Sequence, residues 1–103
     1  MNDNEKELHR LAALGAGYEI NQGEAGYSSL KNTRPETLWS PANNPADSFR
    51  LARDCNLMVD FGNGMVTWPL EVTGKDTDPL RATMEAIFLA AVEIGKAREK
   101  RGF

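Results

Sequence analysis

The chain has 103 residues, of which 41% are hydrophobic and 26% are charged, with a formal net charge of −3. This length and composition predict one small globular domain over residues 1–103, without a second ordinary domain. The 12 Lys and Arg against 15 Asp and Glu leave no basic surplus for a phosphate backbone, so nucleic-acid binding is not expected. A single cysteine and the lack of an apolar leader or a long apolar run favour the reducing cytoplasm and argue against a membrane protein.

The first predicted element is an amphipathic helix over residues 3–16, where Leu8, Leu11 and Ala12 fall on one arc at about 100° per residue. Gly15 and Gly17 follow at positions typical of a helix end. Glycine, proline and polar residues then fill positions 17–43 without sustained periodicity. This segment is predicted to be a variable loop that has room for short strands.

The predicted loop carries aromatic and cationic side chains, and loops longer than about 12 to 15 residues are usually functional or mobile. Tyr18, Tyr27 and Trp39 have rings on which a planar ligand could stack. Lys31 and Arg34 could pair with an anion on the same ligand. A nucleotide-like ligand in the 18–39 aromatic loop is therefore one prediction, and the alternative is that the aromatics pin the loop to the core.

A second helix is predicted over residues 45–56. Asn44 is a residue type that caps helix starts, Pro45 suits a first turn, and Asp47 places negative charge at the positive end of the helix. Cys55 falls on the apolar arc of this helix, so it is interpreted as a small core residue and not as a nucleophile.

A β-hairpin is predicted in "LMVDFGNGMVTWPLEV", because Asn63-Gly64 favours a two-residue type I′ turn in which both residues have positive φ. The register set by that turn places six large apolar side chains on one face. The predicted pairs are Phe61 with Val66, Val59 with Trp68, and Leu57 with Leu70.

The third predicted helix, over residues 79–100, follows a second cap and proline at Asp78 and Pro79. Its central apolar stripe, expected to cover the hairpin, comprises Leu80, Met84, Ile87, Ala91 and Ile94. Leu89 and Val92 fall on the opposite arc among charged residues. Either the first helix covers these two residues, or they form the centre of an interface between two copies of the chain.

Three helices and one hairpin predict an α/β (α+β) fold, a small sandwich in which the helices pack around an antiparallel sheet. This order of parts resembles the phage alpha-beta-alpha (ABA) sandwich domain, a group of small bacteriophage proteins related to the NinX-like proteins. The resemblance covers roughly residues 38–97, and the matching positions are Trp39, Pro41, Asn44, Asp47, Leu51, Ala52, Trp68, Pro79, Leu80, Ala82, Ala86, Ile87, Ala90 and Ala91. It implies a sheet with helices on both sides, a phage or prophage origin in a bacterial host cytoplasm, and no settled activity.

The catalytic inventory is small, since His9 is the sole histidine and Cys55 the sole thiol. Asp47, Asp54 and Asp60 could supply oxygen ligands for a magnesium ion, but capping or a solvated face accounts for each of them. No catalytic residue, metal site or cofactor is therefore predicted.

The leading functional prediction is a non-enzymatic phage accessory protein that binds a host or phage protein, as a homo-oligomer. The alternative is a protein that binds or sequesters a small nucleotide-like ligand through the 18–39 loop.

Overall fold

The computed structural model describes residues 3–18, 20–22, 28–30 and 39–101. Its helices and strands, in chain order, are α1 (Asp3–Ala16), β1 (Ile20–Gln22), β2 (Ser28–Leu30), α2 (Pro45–Asp54), β3 (Met58–Asp60), β4 (Met65–Trp68), β5 (Val72–Thr73) and α3 (Pro79–Lys100). β1 pairs with β2 inside the predicted 17–43 loop, and β3, β4 and β5 form an antiparallel sheet in that order. The predicted mixed α and β class is confirmed.

The starts of α2 and α3 lie where their caps predict them. The Asn44 side chain accepts hydrogen bonds from the backbone N–H groups of Ala46 (2.9 Å) and Asp47 (3.3 Å). The Asp78 carboxylate accepts one from the N–H of Leu80 at 3.3 Å. These bonds satisfy N–H groups that have no partner inside a helix, so they fix where each helix begins.

The end of α2 differs from the prediction of a helix reaching residue 56. Asn56 adopts a positive φ of 57°, which an α-helix cannot continue. The N–H of Asn56 bonds to the Arg53 carbonyl at 3.0 Å, and that of Leu57 bonds to the Ala52 carbonyl at 2.9 Å. This pair of bonds is a Schellman motif, and it turns the chain into β3.

α3 lies at the centre of the described structure, because α1, α2 and the three-stranded sheet all pack against it. Its residues Ala86, Ile87, Ala90 and Ala91 are fully buried. The rest of the core comes mainly from apolar side chains on the surrounding elements: Leu11, Ala12, Ala13, Trp39, Leu51, Ala52 and Val66. The core therefore forms on several sides of one helix.

The crossing of α1 and α3 brings two backbones into direct contact. A Cβ atom on Gly95 would stand 1.8 Å from the carbonyl oxygen of Leu11, and one on Gly15 would stand 2.3 Å from that of Ala91. Both distances are far below contact distance, so only glycine fits at either position. Gly15 was predicted to end the helix, but it lies inside α1, and Gly17 ends it with a φ of +78°.

The register predicted for the hairpin is wrong. The observed pairs are Asp60 with Met65, Val59 with Val66 and Met58 with Trp68. The turn has four residues, 61–64, because the Asp60 carboxylate accepts hydrogen bonds from the backbone N–H (3.2 Å) and side-chain amide (2.7 Å) of Asn63. Of the two residues expected at positive φ, Gly64 has one, at +61°, and Asn63 does not.

One extra residue in β4 decides which side chains of the hairpin reach the core. Val66 and Trp68, two residues apart in β4, pair with the adjacent residues Val59 and Met58 of β3. Thr67 therefore has no partner in β3 and forms a β-bulge. Val66 is fully buried under α3, whereas Trp68 is 51% exposed on the other face of the sheet. Phe61, in the turn, is also 51% exposed, so the predicted six-residue apolar face loses two members.

Candidate functional site

A groove with a volume of about 550 Å³ lies beside the N-terminal half of α3, and it is called the α3 groove below. Its floor comes from α3 itself, through Leu80, Met84, Phe88 and Leu89. Leu80, Met84 and Phe88 are spaced four residues apart, so they stand above one another on the same side of the helix. Met84 and Phe88 are buried, whereas Leu80 is 42% exposed.

Another wall of the groove is formed by the turn that precedes α2, through Ala42 and Asn43, and by Pro45 at the start of α2. This turn is held by the backbone N–H groups of Asn43 (3.1 Å) and Asn44 (2.8 Å), which bond to the carbonyl of Ser40. The N–H of Ser40 in turn donates to the Asp47 carboxylate at 3.0 Å. The wall is therefore a hydrogen-bonded turn rather than a loosely attached loop.

Charged side chains line the rest of the groove, and the acidic ones outnumber the basic one. Asp76, Asp78 and Glu85 contribute carboxylates, and Arg81 contributes a guanidinium. Arg81 lies 4.0 Å from the Asp78 carboxylate, so this pair is close to neutral as a unit. Asp76 and Glu85 leave the lining with a net negative charge.

The two residues predicted to form an interface, Leu89 and Val92, fall in different places. Leu89 is half-buried and lines the α3 groove. Val92 is 2% exposed and belongs to the core together with Leu11 of α1. The burial of Val92 matches the alternative in which the first helix covers it, and it contradicts an interface centred on both residues.

The predicted ligand loop is only partly described by the structure. Tyr27, Lys31 and Arg34 lie outside the described residues, so the nucleotide-like ligand stays a prediction. Trp39 is 3% exposed, and its ring packs edge-on against His9 (6.0 Å between centroids) and Tyr18 (5.8 Å). For Trp39 this arrangement matches the alternative in which an aromatic residue pins the loop to the core.

Tyr18 joins the end of α1 to α2 by a polar contact. Its hydroxyl donates a hydrogen bond to the Asp54 carboxylate, which also accepts one from Arg53 at 2.8 Å. Arg53 and then Tyr18 lower the pKa of Asp54, while burial and the neighbouring Asp54 raise the pKa of Tyr18. This group ties the chain ahead of β1 to α2.

The two side chains best suited to nucleophilic or acid–base chemistry are placed for packing. Burial raises the pKa of the Cys55 thiol to about 11, which keeps it protonated and unreactive at neutral pH. The His9 ring packs against Phe88 with 5.0 Å between centroids, and its Nδ1 donates to the Glu5 carbonyl at 2.7 Å. Cys55 and His9 therefore contribute to the core and its margin.

The three aspartates considered for a magnesium site have separate partners. Asp47 bonds to Ser40, Asp54 to Tyr18 and Arg53, and Asp60 to Asn63. Within residues 3–18 and 39–101, no three His, Cys, Asp or Glu side chains are grouped closely enough to hold a metal ion. Each of these three carboxylates thus accepts hydrogen bonds from neighbouring groups of the fold.

A second apolar surface lies on the outer face of the three-stranded sheet. Met58 and Trp68 are directly paired across β3 and β4, and both are more than half exposed. Nearby in sequence, Phe61 packs edge-on against Phe49 of α2 with 5.5 Å between centroids. The sequence pattern missed this surface because the alternation of Val66, Thr67 and Trp68 is that of a regular strand and does not reveal the bulge.

Comparison with known proteins leaves the chain without an assigned family. No protein-family model matches it, and no curated protein or solved structure is significantly similar to it. Among the described helices, none combines the length and apolar character needed to cross a membrane. The geometry of the described residues therefore carries the functional argument.

Proposed function

We propose that this chain is a non-enzymatic accessory protein that acts by binding a protein partner in the α3 groove. The observation that carries the proposal is the exposure of Leu80 on the floor of a concave surface. A leucine in a concavity with a polar rim is typical of an anchoring point for a partner side chain. Leu89, one end of the same floor, extends the apolar area.

Binding accounts better than catalysis for the chemistry of the described side chains. The carboxylates, the thiol and the imidazole described above each have a structural partner or a buried position. The α3 groove contains neither His9 nor Cys55, and its acidic side chains line an apolar floor. Such a surface suits recognition of a side chain or a peptide segment.

A phage or prophage origin, with action in the cytoplasm of a bacterial host, forms part of the proposal. Its support is the resemblance to the phage alpha-beta-alpha sandwich domain at the cap and core positions of residues 38–97. Small phage proteins of this kind would act on host or phage proteins within the infected cell. A host or phage protein is therefore the partner class proposed for the groove.

The test is affinity capture from bacterial lysate with the wild-type chain and two matched variants. Leu80→Ser removes the anchor from the groove, and Met58→Ser removes an exposed apolar side chain from the outer sheet face. We expect mass spectrometry to identify a protein retained by the wild type and by Met58→Ser but lost with Leu80→Ser. Equal retention by all three folded proteins, or no retained protein, would contradict the proposal.

A further inference from the structure

The lining of the α3 groove has a charge pattern that narrows the chemistry of its partner. Three carboxylates and one guanidinium surround the apolar floor. Since Arg81 lies beside Asp78, the carboxylates of Asp76 and Glu85 set the net charge that an incoming segment meets. A partner carrying cations gains Coulomb attraction here, and an acidic one is repelled.

The acidic side chains of this rim are held in position by backbone hydrogen bonds. One oxygen of Asp76 accepts the N–H of Asp78 at 2.8 Å. One oxygen of Glu85 accepts the N–H of Lys75 at 3.3 Å. These bonds limit the rotation of both carboxylates, so less side-chain entropy is lost when a cation binds them.

Leu80 lies on α3 between Asp78 at the helix cap and Arg81, with Glu85 just over one turn further on. Apolar and acidic groups thus stand within the reach of one short segment. From this juxtaposition, and resting on the function proposed above, we infer that the α3 groove binds a peptide segment with an apolar anchor flanked by lysine or arginine. The anchor contacts Leu80 and Leu89, and the flanking cations face Asp76 and Glu85.

Two other occupants fit this pattern less well. A second copy of the chain related by a two-fold axis would bring one acidic rim against another, which is unfavourable. A nucleic acid or an acidic peptide would meet the same repulsion. A basic and apolar protein segment is the occupant for which both the floor and the rim are complementary.

The test uses two fluorescent peptides that differ only in charge. Both alternate leucine and alanine with an ionisable residue, which is lysine in one and glutamate in the other. We expect fluorescence anisotropy to show that the lysine peptide binds at least about tenfold more tightly at low salt, and that added salt narrows the difference. Leu80→Ser should weaken binding of the lysine peptide, whereas Met58→Ser should not.

Two double variants show which carboxylates cause the preference for the lysine peptide. Asp76→Asn/Glu85→Gln keeps the hydrogen-bond acceptors but removes two charges, and should bring the two peptides within about threefold of each other. Asp3→Asn/Glu71→Gln removes two charges at exposed positions away from the groove and should leave the selectivity unchanged. Equal binding of both peptides to the wild type, or equal effects of the two double variants, would overturn the inference.

The outcomes separate this inference from the proposed function. If a captured protein depends on Leu80 but is indifferent to Asp76→Asn/Glu85→Gln, binding in the groove stands and the basic partner is wrong. If Leu80→Ser changes the binding of neither the captured protein nor the peptides, the groove is not the binding site. The proposed function and the basic partner are then both wrong. Light scattering that shows self-association lost in Leu80→Ser would identify a second copy as the occupant and overturn the basic partner.

Discussion

The two halves of α3 are packed in opposite ways. In the C-terminal half, Gly95 lets the backbone of α1 come so close that a single added carbon would collide with it. In the N-terminal half, the side of the helix that carries Leu80 faces an open groove. Glycine at the contact lets α1 pack backbone to backbone on α3, whereas larger side chains of α3 line the groove.

The hairpin side of α3 follows the same rule. Ala82 lies against Gly74 and Gly64, and a Cβ on Gly74 would stand 1.9 Å from the Ala82 carbonyl oxygen. Small residues thus mark both tightly covered sides of the helix. The side of the helix on which binding is proposed carries leucine and methionine.

The most disruptive change should be Gly95→Ala, which places a methyl group where the Leu11 carbonyl lies. Because backbone must move to accommodate it, we expect the free energy of unfolding to fall by about 3 kcal/mol. Chemical denaturation followed by circular dichroism measures this loss.

Gly62→Ala is the matched control, because a Cβ there meets only the Asp60 carboxylate at an ordinary 3.5 Å. This change should alter stability by less than about 0.5 kcal/mol. If Gly95→Ala proved as mild as Gly62→Ala, the close crossing of α1 and α3 would be incorrect.

The next largest effect is expected for Gly64→Val in the hairpin turn. Gly64 has a φ of +61°, where a β-branched residue is strained, and a Cβ would lie 2.6 Å from that of Ala82. We expect the melting temperature to fall by an amount equivalent to about 1 to 3 kcal/mol.

A double variant divides this effect between its two causes. Ala82→Gly removes the atom with which the new side chain collides, but it leaves the strain at positive φ. Adding Gly64→Val should therefore cost less in the Ala82→Gly background than in the wild type. Equal costs in both backgrounds would show that backbone strain alone is responsible.

Much of the fold could be predicted from the sequence because local signals specify it. The caps at Asn44 and Asp78, each followed by proline, place the starts of α2 and α3 correctly. The hairpin was located by its Asn-Gly pair, but its register was not. The longer turn depends on hydrogen bonds that Asn63 donates to Asp60, and the bulge shifts the pairing further along the strands. Local chemistry therefore predicts where elements lie better than how they pair.

The candidate site was less predictable, because it depends on contacts between distant segments. A helical projection identified Leu89 as an apolar residue among charges, and this residue does line the groove. The same projection left open whether the first helix or a second copy of the chain covers Val92, which is buried beside α1. It placed Leu80 in the central stripe that covers the hairpin, whereas Leu80 is 42% exposed. Periodicity indicates the faces of α3, but it does not indicate the glycine contacts through which α1 covers one of them.

Apart from the control Gly62→Ala, the smallest effect on stability is expected for Leu80→Ser, which tests the open half of α3 directly. Leu80 is 42% exposed, so its replacement loses only part of the apolar burial of a leucine and leaves no closed cavity. We expect the free energy of unfolding to fall by about 1 kcal/mol or less, comparable to Met58→Ser on the outer sheet face. The two variants should then differ in binding and not in folding, because only Leu80 lines the groove. A loss above about 2 kcal/mol for Leu80→Ser would place this leucine in the core and contradict an accessible groove.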